Sequence, residues 1–355
     1  MYIYPLSRHR GTIPTKLKGQ ITSGGFIFAK VNYFSEFCSN NNIRFHFLIN
    51  MKRVFLLACV LLSTLTVGTL CFAQTKQSVD FGKLDFYDNF ASEIFRPCNV
   101  MVWTPDDYSA DKKYAVLYMH DGQMLFDATT SWNKQSWNVD SVASALMREN
   151  SVRDFIVVGI DNHPTRRLYE YIPRKALDYL PADDALLQKY NKAEFNSDEY
   201  LAFIVKELKP FIDKTYSTLS DKENTFIMGS SCGGLISLYA ICEYPDVFGT
   251  ACCLSTHVAM IPDGTLDAAP IWAKSLRDYL EEKLPAANSC RIYMDYGDQT
   301  VDQLYLPYQP LVDEIFHRKG WDDLHFKCCF FPGESHSEEC WQKRMNIPIK
   351  FAIGI

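Results

Sequence analysis

Three features of this sequence could together break an acyl bond. They are a serine in a glycine-flanked turn, a histidine in a late loop, and aspartates in the loop before it. The serine lies in "FIMGSSCGGLISLYA", residues 226–240. An apolar run ends at Met228, six small residues follow, and a pattern at helical spacing begins. The register singles out one residue. Ser231 has Gly229 two positions before it and Gly233 two after, whereas centring on Ser230 meets Met228 and centring on Cys232 meets Ser230. A strand that turns this sharply into a helix holds its central side chain above the sheet, with the next backbone N–H facing the site. A plain glycine-rich turn has the same composition, but the flanking strand and helix favour a nucleophile.

A serine nucleophile needs a base and an acid that orients the base. Four histidines follow Ser231: His257, His317, His325 and His336. His317 lies on a helical run ending in Arg318-Lys319, His325 starts a strand, and His257 precedes the region where the acid is expected. His336, in "FPGESHSEECW", follows the last apolar strand and is the expected base. The acid belongs in "MDYGDQTVDQLY", where Asp295, Asp298 and Asp302 compete. Asp295 reads as part of a strand. Spacing does not choose between Asp298 and Asp302.

These residues must be held by a sheet. Near-continuous apolar runs at 113–120, 154–161, 224–230, 249–255, 291–297 and 324–331 read as strands covered on both faces. Segments at 141–150, 200–216, 233–245 and 308–320 carry apolar residues at three- and four-residue spacing, as helices do. The alternation predicts an α/β domain over about 78–355, with a mostly parallel central sheet and helices on both faces. Residues 78–105 read as antiparallel edge strands. The segment 163–198 has no strong period and is expected to run over one edge of the sheet. Trp132, Trp137, Arg166, Arg167, Glu170 and Tyr171 fall on loops expected beside the catalytic edge, where they are candidates for lining a substrate cleft.

The first 73 residues differ in character. Residues 51–73, "MKRVFLLACVLLSTLTVGTLCFA", have the basic, apolar, small-residue order of a removable signal peptide. Residues 1–50 are then expected to be an upstream extension of the gene model, and the remainder an exported, periplasmic or extracellular protein with no stable membrane insertion. The whole chain has a formal net charge of −6, and residues 1–73 carry eight Lys+Arg against one acidic residue, so the remainder stands at −6 − 7 = −13. Such an acidic surface argues against nucleic acid as a partner. Nine cysteines follow residue 73, several inside strand-like runs, and are expected to be mostly buried thiols. No spacing suggests a zinc site, and no cofactor is expected. Composition says nothing of the oligomeric state.

From about residue 95 to 345 the chain resembles the esterase family of α/β-hydrolases that includes esterase D, enterobactin esterases and feruloyl esterases. The blocks "LYMHDGQMLFD", "VVGIDN", "GSSCGGLISLYA", "MDYGDQTVDQLYLPYQ" and "GESHSEECW" carry the resemblance, in the family's order. It implies Ser231 as nucleophile, His336 as base and, aligned on Tyr305, Asp302 as the acid. It also implies oxyanion-hole N–H groups from Gln123 and Cys232, where the family often has Met at the latter position. The implied substrates are acylated carbohydrates, small acyl esters or siderophore lactones. Acyl transfer to a sugar by the same triad, or a carbohydrate-binding protein on an inactive hydrolase fold, are the alternatives.

Overall fold

The computed structural model describes residues 76–355, which lie in the compact unit Thr75–Ile355. The assignments made for residues 1–50 and 51–73 lie outside the described residues.

Among the described residues eight strands form one sheet: β1 (Lys83–Phe90), β2 (Cys98–Thr104), β3 (Ala115–His120), β4 (Phe155–Ile160), β5 (Thr225–Ser230), β6 (Thr250–Leu254), β7 (Arg291–Tyr296) and β8 (Phe326–Phe330). Their order is β1-β2-β4-β3-β5-β6-β7-β8. The pairs β1/β2 and β2/β4 are antiparallel, and β4, β3, β5, β6, β7 and β8 run parallel. The expected antiparallel edge and parallel centre are both present.

Among the described residues ten α-helices follow in chain order: α1 (Val139–Arg148), α2 (Arg167–Tyr171), α3 (Ala185–Tyr190), α4 (Ser197–Phe203), α5 (Lys209–Thr215), α6 (Cys232–Glu243), α7 (Ala269–Lys283), α8 (Gln309–Arg318), α9 (Glu338–Arg344) and α10 (Asn346–Ile353). A π-helical turn, Ile204–Leu208, joins α4 to α5. Along β3 the side chains alternate between two cores. Val116 and Tyr118 join Phe203, Leu235 and Trp272 on one face, while Leu117 and Met119 join Val139, Trp341 and Ile349 on the other. That period of two is why the strands read as continuous apolar runs: both faces are covered. Helix α6 is apolar all round for the same reason, with ten of its twelve residues buried.

The segment 163–198 begins over the ends of the strands, where Arg167 reaches Ser230 O and Tyr171 Oη accepts from Asp121 N, and its later part packs on helices. Lys175 pairs with Glu243 of α6, Tyr179 Oη donates to Glu282 of α7 at 2.6 Å, and Trp272 Nε1 of α7 donates to Asp184 at 3.3 Å. Short helices made of few turns, α2 and α3, leave too little periodicity to be read from sequence.

Candidate active site

The parallel strands all end on one side of the sheet, and that is where the candidate residues collect. Ser231 sits between β5 and α6 with φ 58° and ψ −122°. A non-glycine residue there costs about 1–3 kcal/mol and persists only when its surroundings fix it. They do so here: Ser231 N donates to Leu254 O at 2.9 Å, and Ser231 O accepts from Leu235 N and His257 N, both at 3.1 Å. The glycines are required by close approach. A Cβ on Gly229 would lie 2.7 Å from the Gly233 carbonyl carbon, and one on Gly233 would lie 3.1 Å from Asp121 Oδ2. Ser231 therefore sits in a strained, close-packed turn from strand to helix, the shape that a nucleophile elbow requires.

The loops that carry Asp302 and His336 are zipped together. Asp298 N and Gln299 N donate to Glu334 O at 3.3 and 3.1 Å, and His336 N donates to Thr300 Oγ1 at 2.9 Å. Between them, His336 Nδ1 meets Asp302 Oδ1 at 2.6 Å. Asp302 is fully buried, and its other oxygen accepts from Gly297 N at 2.7 Å and Ser255 Oγ at 2.8 Å. Burial by itself would raise this carboxyl. The hydrogen bond and charge of His336, with the Gly297 amide and Ser255 hydroxyl, outweigh it and hold the group below its ordinary value. An ionised Asp302 only accepts, so Nδ1 carries the proton and Nε2 is left with a lone pair. The His336 ring is pinned edge-to-face by Trp341, at 4.9 Å between centroids.

The competitors have other work. Asp298 Oδ1 accepts from Gly333 N at 2.8 Å and braces the loop. Asp295 is fully buried in an ion pair with Arg344 at 2.9 Å. Arg344 also donates to Ser255 Oγ at 3.0 Å, as Trp341 Nε1 does at 2.9 Å, so this pair underpins the hydroxyl that touches Asp302. His257 is buried and fully occupied. Its Nε2 donates to Ile261 O at 2.8 Å, Nδ1 accepts from Tyr305 Oη at 3.0 Å, and burial pushes its pKa down to about 4. His317 is exposed on α8, and His325 Nδ1 meets Asp322 at 2.7 Å.

Gln123 lies in the 3-10 turn Gly122–Met124 directly after β3, and Cys232 opens α6. Backbone N–H groups at such first turns have no acceptor within their own element. Two side chains missed as a unit in the sequence tie these segments together. Arg167 grips Asp121 through Nε and Nη2, both at 2.7 Å, and reaches Ser230 O at 3.3 Å. Asn162 adds an Nδ2 bond to Asp121 and an N–H to Gln123 Oε1 at 3.2 Å. Burial would raise the Asp121 carboxyl, but Arg167 and Asn162 outweigh it and hold it low. The partners lie tens of residues apart, so no local pattern announces them.

Several expected cleft residues are not available to a ligand. Trp137 is buried against Trp341, with 5.5 Å between centroids. Tyr171 is fully buried beside His120 and Tyr200. Glu170 is a buried partner of Arg96. A loop aromatic or carboxylate that can find an apolar or charged partner is buried by it. Arg166 bonds Glu194 at the surface. Trp132 is 81 % exposed. Its neighbour Asn133 donates to Glu338 Oε2 at 2.7 Å, two residues beyond His336, so Trp132 stands beside the histidine loop.

Asp161, after β4, lies against the Gly122 turn: a Cβ on Gly122 would come within 2.8 Å of its Oδ1. That oxygen is buried without a hydrogen-bond partner, and Oδ2 accepts from Asn99 at 3.2 Å. Burial, supported by the charge of Asp121 and opposed by the Asn99 bond, pushes the carboxyl from 3.8 up to about 6. The folded state then holds this proton more tightly than the unfolded chain. Stability falls as pH rises between those two values, by about 3 kcal/mol in all. Asp161→Asn removes the charge. Its urea midpoint is expected to exceed that of the wild type at about pH 7.5 and to converge on it near pH 4. Parallel pH profiles for the two proteins would contradict this assignment.

Among the described residues the nine cysteines are all free thiols, and no group of three or more His, Cys, Asp or Glu could hold a metal ion. Residues 91–347 match the family model described as "Putative esterase". The chain is 26 % identical over 260 residues to "Uncharacterized protein YbbA" of Bacillus subtilis (strain 168), covering 71 % of this chain and 91 % of that one. It superposes on the CE1 ferulic acid esterase AmCE1/Fae1A of Anaeromyces mucronatus with a TM-score of 0.53 and 17 % identity, over 78 % of this chain and 93 % of that one. The enterobactin esterase FES of Shigella flexneri gives a TM-score of 0.55 and 18 % identity, over 78 % of this chain and 60 % of that one. These structural likenesses share the α/β-hydrolase fold, and with the family match over most of the chain they lead to one conclusion: the protein belongs to the Esterase family and is a carboxylic ester hydrolase.

Proposed function

We propose that the protein is an exported serine esterase that cleaves acylated carbohydrates or small acyl esters. The observation that carries the reading is the 2.6 Å bond from His336 Nδ1 to buried Asp302, on a chain whose Ser231 occupies a strained elbow. In the proposed cycle Ser231 Oγ attacks the ester carbonyl carbon while His336 Nε2 takes its proton. The amides of Gln123 and Cys232 stabilise the oxyanion, each worth about 3–4 kcal/mol where such donors have been deleted. The carbon–oxygen bond to the alcohol breaks as His336 returns the proton to it. Water then attacks the acyl-serine, gives its proton to His336, and Ser231 Oγ recovers it as the acid leaves.

Trp132 supports the substrate class. An exposed indole beside the histidine loop offers a flat face to a sugar ring or an aryl acyl group. Two structural neighbours are, by name, a ferulic acid esterase and an enterobactin esterase. The order of residues 51–73 supports export.

A panel of 4-nitrophenyl acetate, methyl ferulate, acetylated xylan and a catecholate trilactone tests the reading. Turnover of at least one carbohydrate-linked or small acyl ester is expected, with free acid as the product even when sugar is added. Failure on all four, or quantitative transfer to the sugar, would overturn it.

A further inference from the structure

A second site lies at the other ends of the parallel strands. A cavity of about 190 Å³ is lined by residues that enter β4 through β8, among them Arg153, Lys222, Arg291 and His325. That volume is more than ten times what one water needs. None of its lining residues belongs to the candidate active site.

The cations there have only neutral partners. Arg153 donates to Asn224 Oδ1 and, at 3.5 Å, to Glu223 O. Lys222 Nζ donates to Pro245 O at 2.9 Å, and Arg291 Nε to Leu324 O at 3.2 Å. Both guanidinium groups stack on rings, Arg153 over Phe226 at 5.7 Å and Arg291 over Phe351 at 4.3 Å. Stacking occupies the face of a guanidinium and leaves its edge able to donate. Elsewhere this chain pairs half-buried Arg96 with Glu170 and buried Arg344 with Asp295. Here Glu223 is the one carboxylate lining the cavity, and it is exposed. Nearby Asp221 accepts from Asn224, and Asp322 is taken by His325. The lining therefore carries three positive charges against one negative, on a chain whose formal net charge is −6. Burial and then the charge of Arg153 push Arg291 below its ordinary value, against the Cys252 thiol. Three like charges against a single exposed counter-charge favour an anion.

We propose that this cavity binds a phosphate or sulfate group, remote from the ester-cleaving site. Two arginine edges and a lysine match an oxyanion with several acceptor oxygens, and three cations favour a doubly charged group over a monocarboxylate.

Isothermal titration of the full chain at constant ionic strength tests this, with inorganic phosphate, inorganic sulfate, glucose 6-phosphate, glucose 6-sulfate and acetate as probes. Saturable binding of the doubly charged anions is expected, with acetate roughly tenfold weaker or more. Tighter binding of glucose 6-phosphate than of inorganic phosphate identifies a saccharide-borne group, and the reverse order identifies a free one. Arg291→Gln and Lys222→Gln should each weaken binding about tenfold, while Glu223→Gln should strengthen it a few fold, a gain that misfolding cannot mimic. All three should leave ester hydrolysis unchanged. Absence of saturable binding by every phosphate and sulfate probe, or affinities that ignore these substitutions, would overturn the proposal whether or not Ser231 acts as proposed.

Discussion

Ser231→Ala is expected to lower kcat by about 10⁶-fold on any ester the protein turns over, with the fold unchanged by circular dichroism. The size follows from what is lost. Without Oγ there is no acyl-enzyme, and removing the nucleophile of a serine triad costs about as much as removing the whole triad. The residual rate would come from the oxyanion donors and substrate binding. The strain at φ 58° is already borne by a residue with a Cβ, and alanine adds no atom to the turn. The three hydrogen bonds that hold the turn all use the backbone of residue 231, so the substitution leaves them in place. A variant that kept more than about one hundredth of the activity would remove Ser231 from the mechanism.

Asp302→Asn is expected to lower kcat by about 10⁴-fold, the loss seen when a triad acid becomes an amide. Asp302 accepts from His336 Nδ1, Gly297 N and Ser255 Oγ. An amide in its place turns one acceptor into a donor and favours the wrong imidazole tautomer. It also removes the charge that would stabilise the imidazolium. Asp298→Asn keeps an acceptor for Gly333 N and should stay within about tenfold of wild type, roughly 1.4 kcal/mol of barrier. Steady-state kinetics on the two variants side by side decide the assignment. The reverse order of effects would move the acid role to Asp298.

The sequence left these two aspartates open, and the reason is geometric. Both lie in one loop within five residues of Gly297, and neither periodicity nor spacing says which one bends under the histidine. Only the resemblance, aligned on Tyr305, favoured Asp302, which is the residue found against His336. The tight turn at Ser231 was legible without that help, because the close approach of Gly229 to Gly233 leaves a sequence trace on both sides of it. The central strands β3, β4, β5 and β6 were legible because two cores cover them and bury every residue of each run. Helix α7 carries the same signal in Trp272, Leu276, Tyr279 and Leu280, and its spacing could have revealed it.

Side-chain environments were harder to read. Trp132 and Trp137 lie five residues apart in one loop, yet one is 81 % exposed and the other 2 %. Residue type alone does not tell a platform from a core filler. Arg167 likewise read as a cleft residue, and its bidentate grip on Asp121 became visible only when the chain was folded.

Labelling of the purified protein with a fluorophosphonate, followed by tandem mass spectrometry of the peptide spanning residues 226–240, tests the central claim most directly. A phosphonyl adduct on Ser231, formed at the rate at which ester hydrolysis is lost and abolished in Ser231→Ala, is the result expected. An adduct on Cys232, or full loss of activity with Ser231 unmodified, would contradict the account.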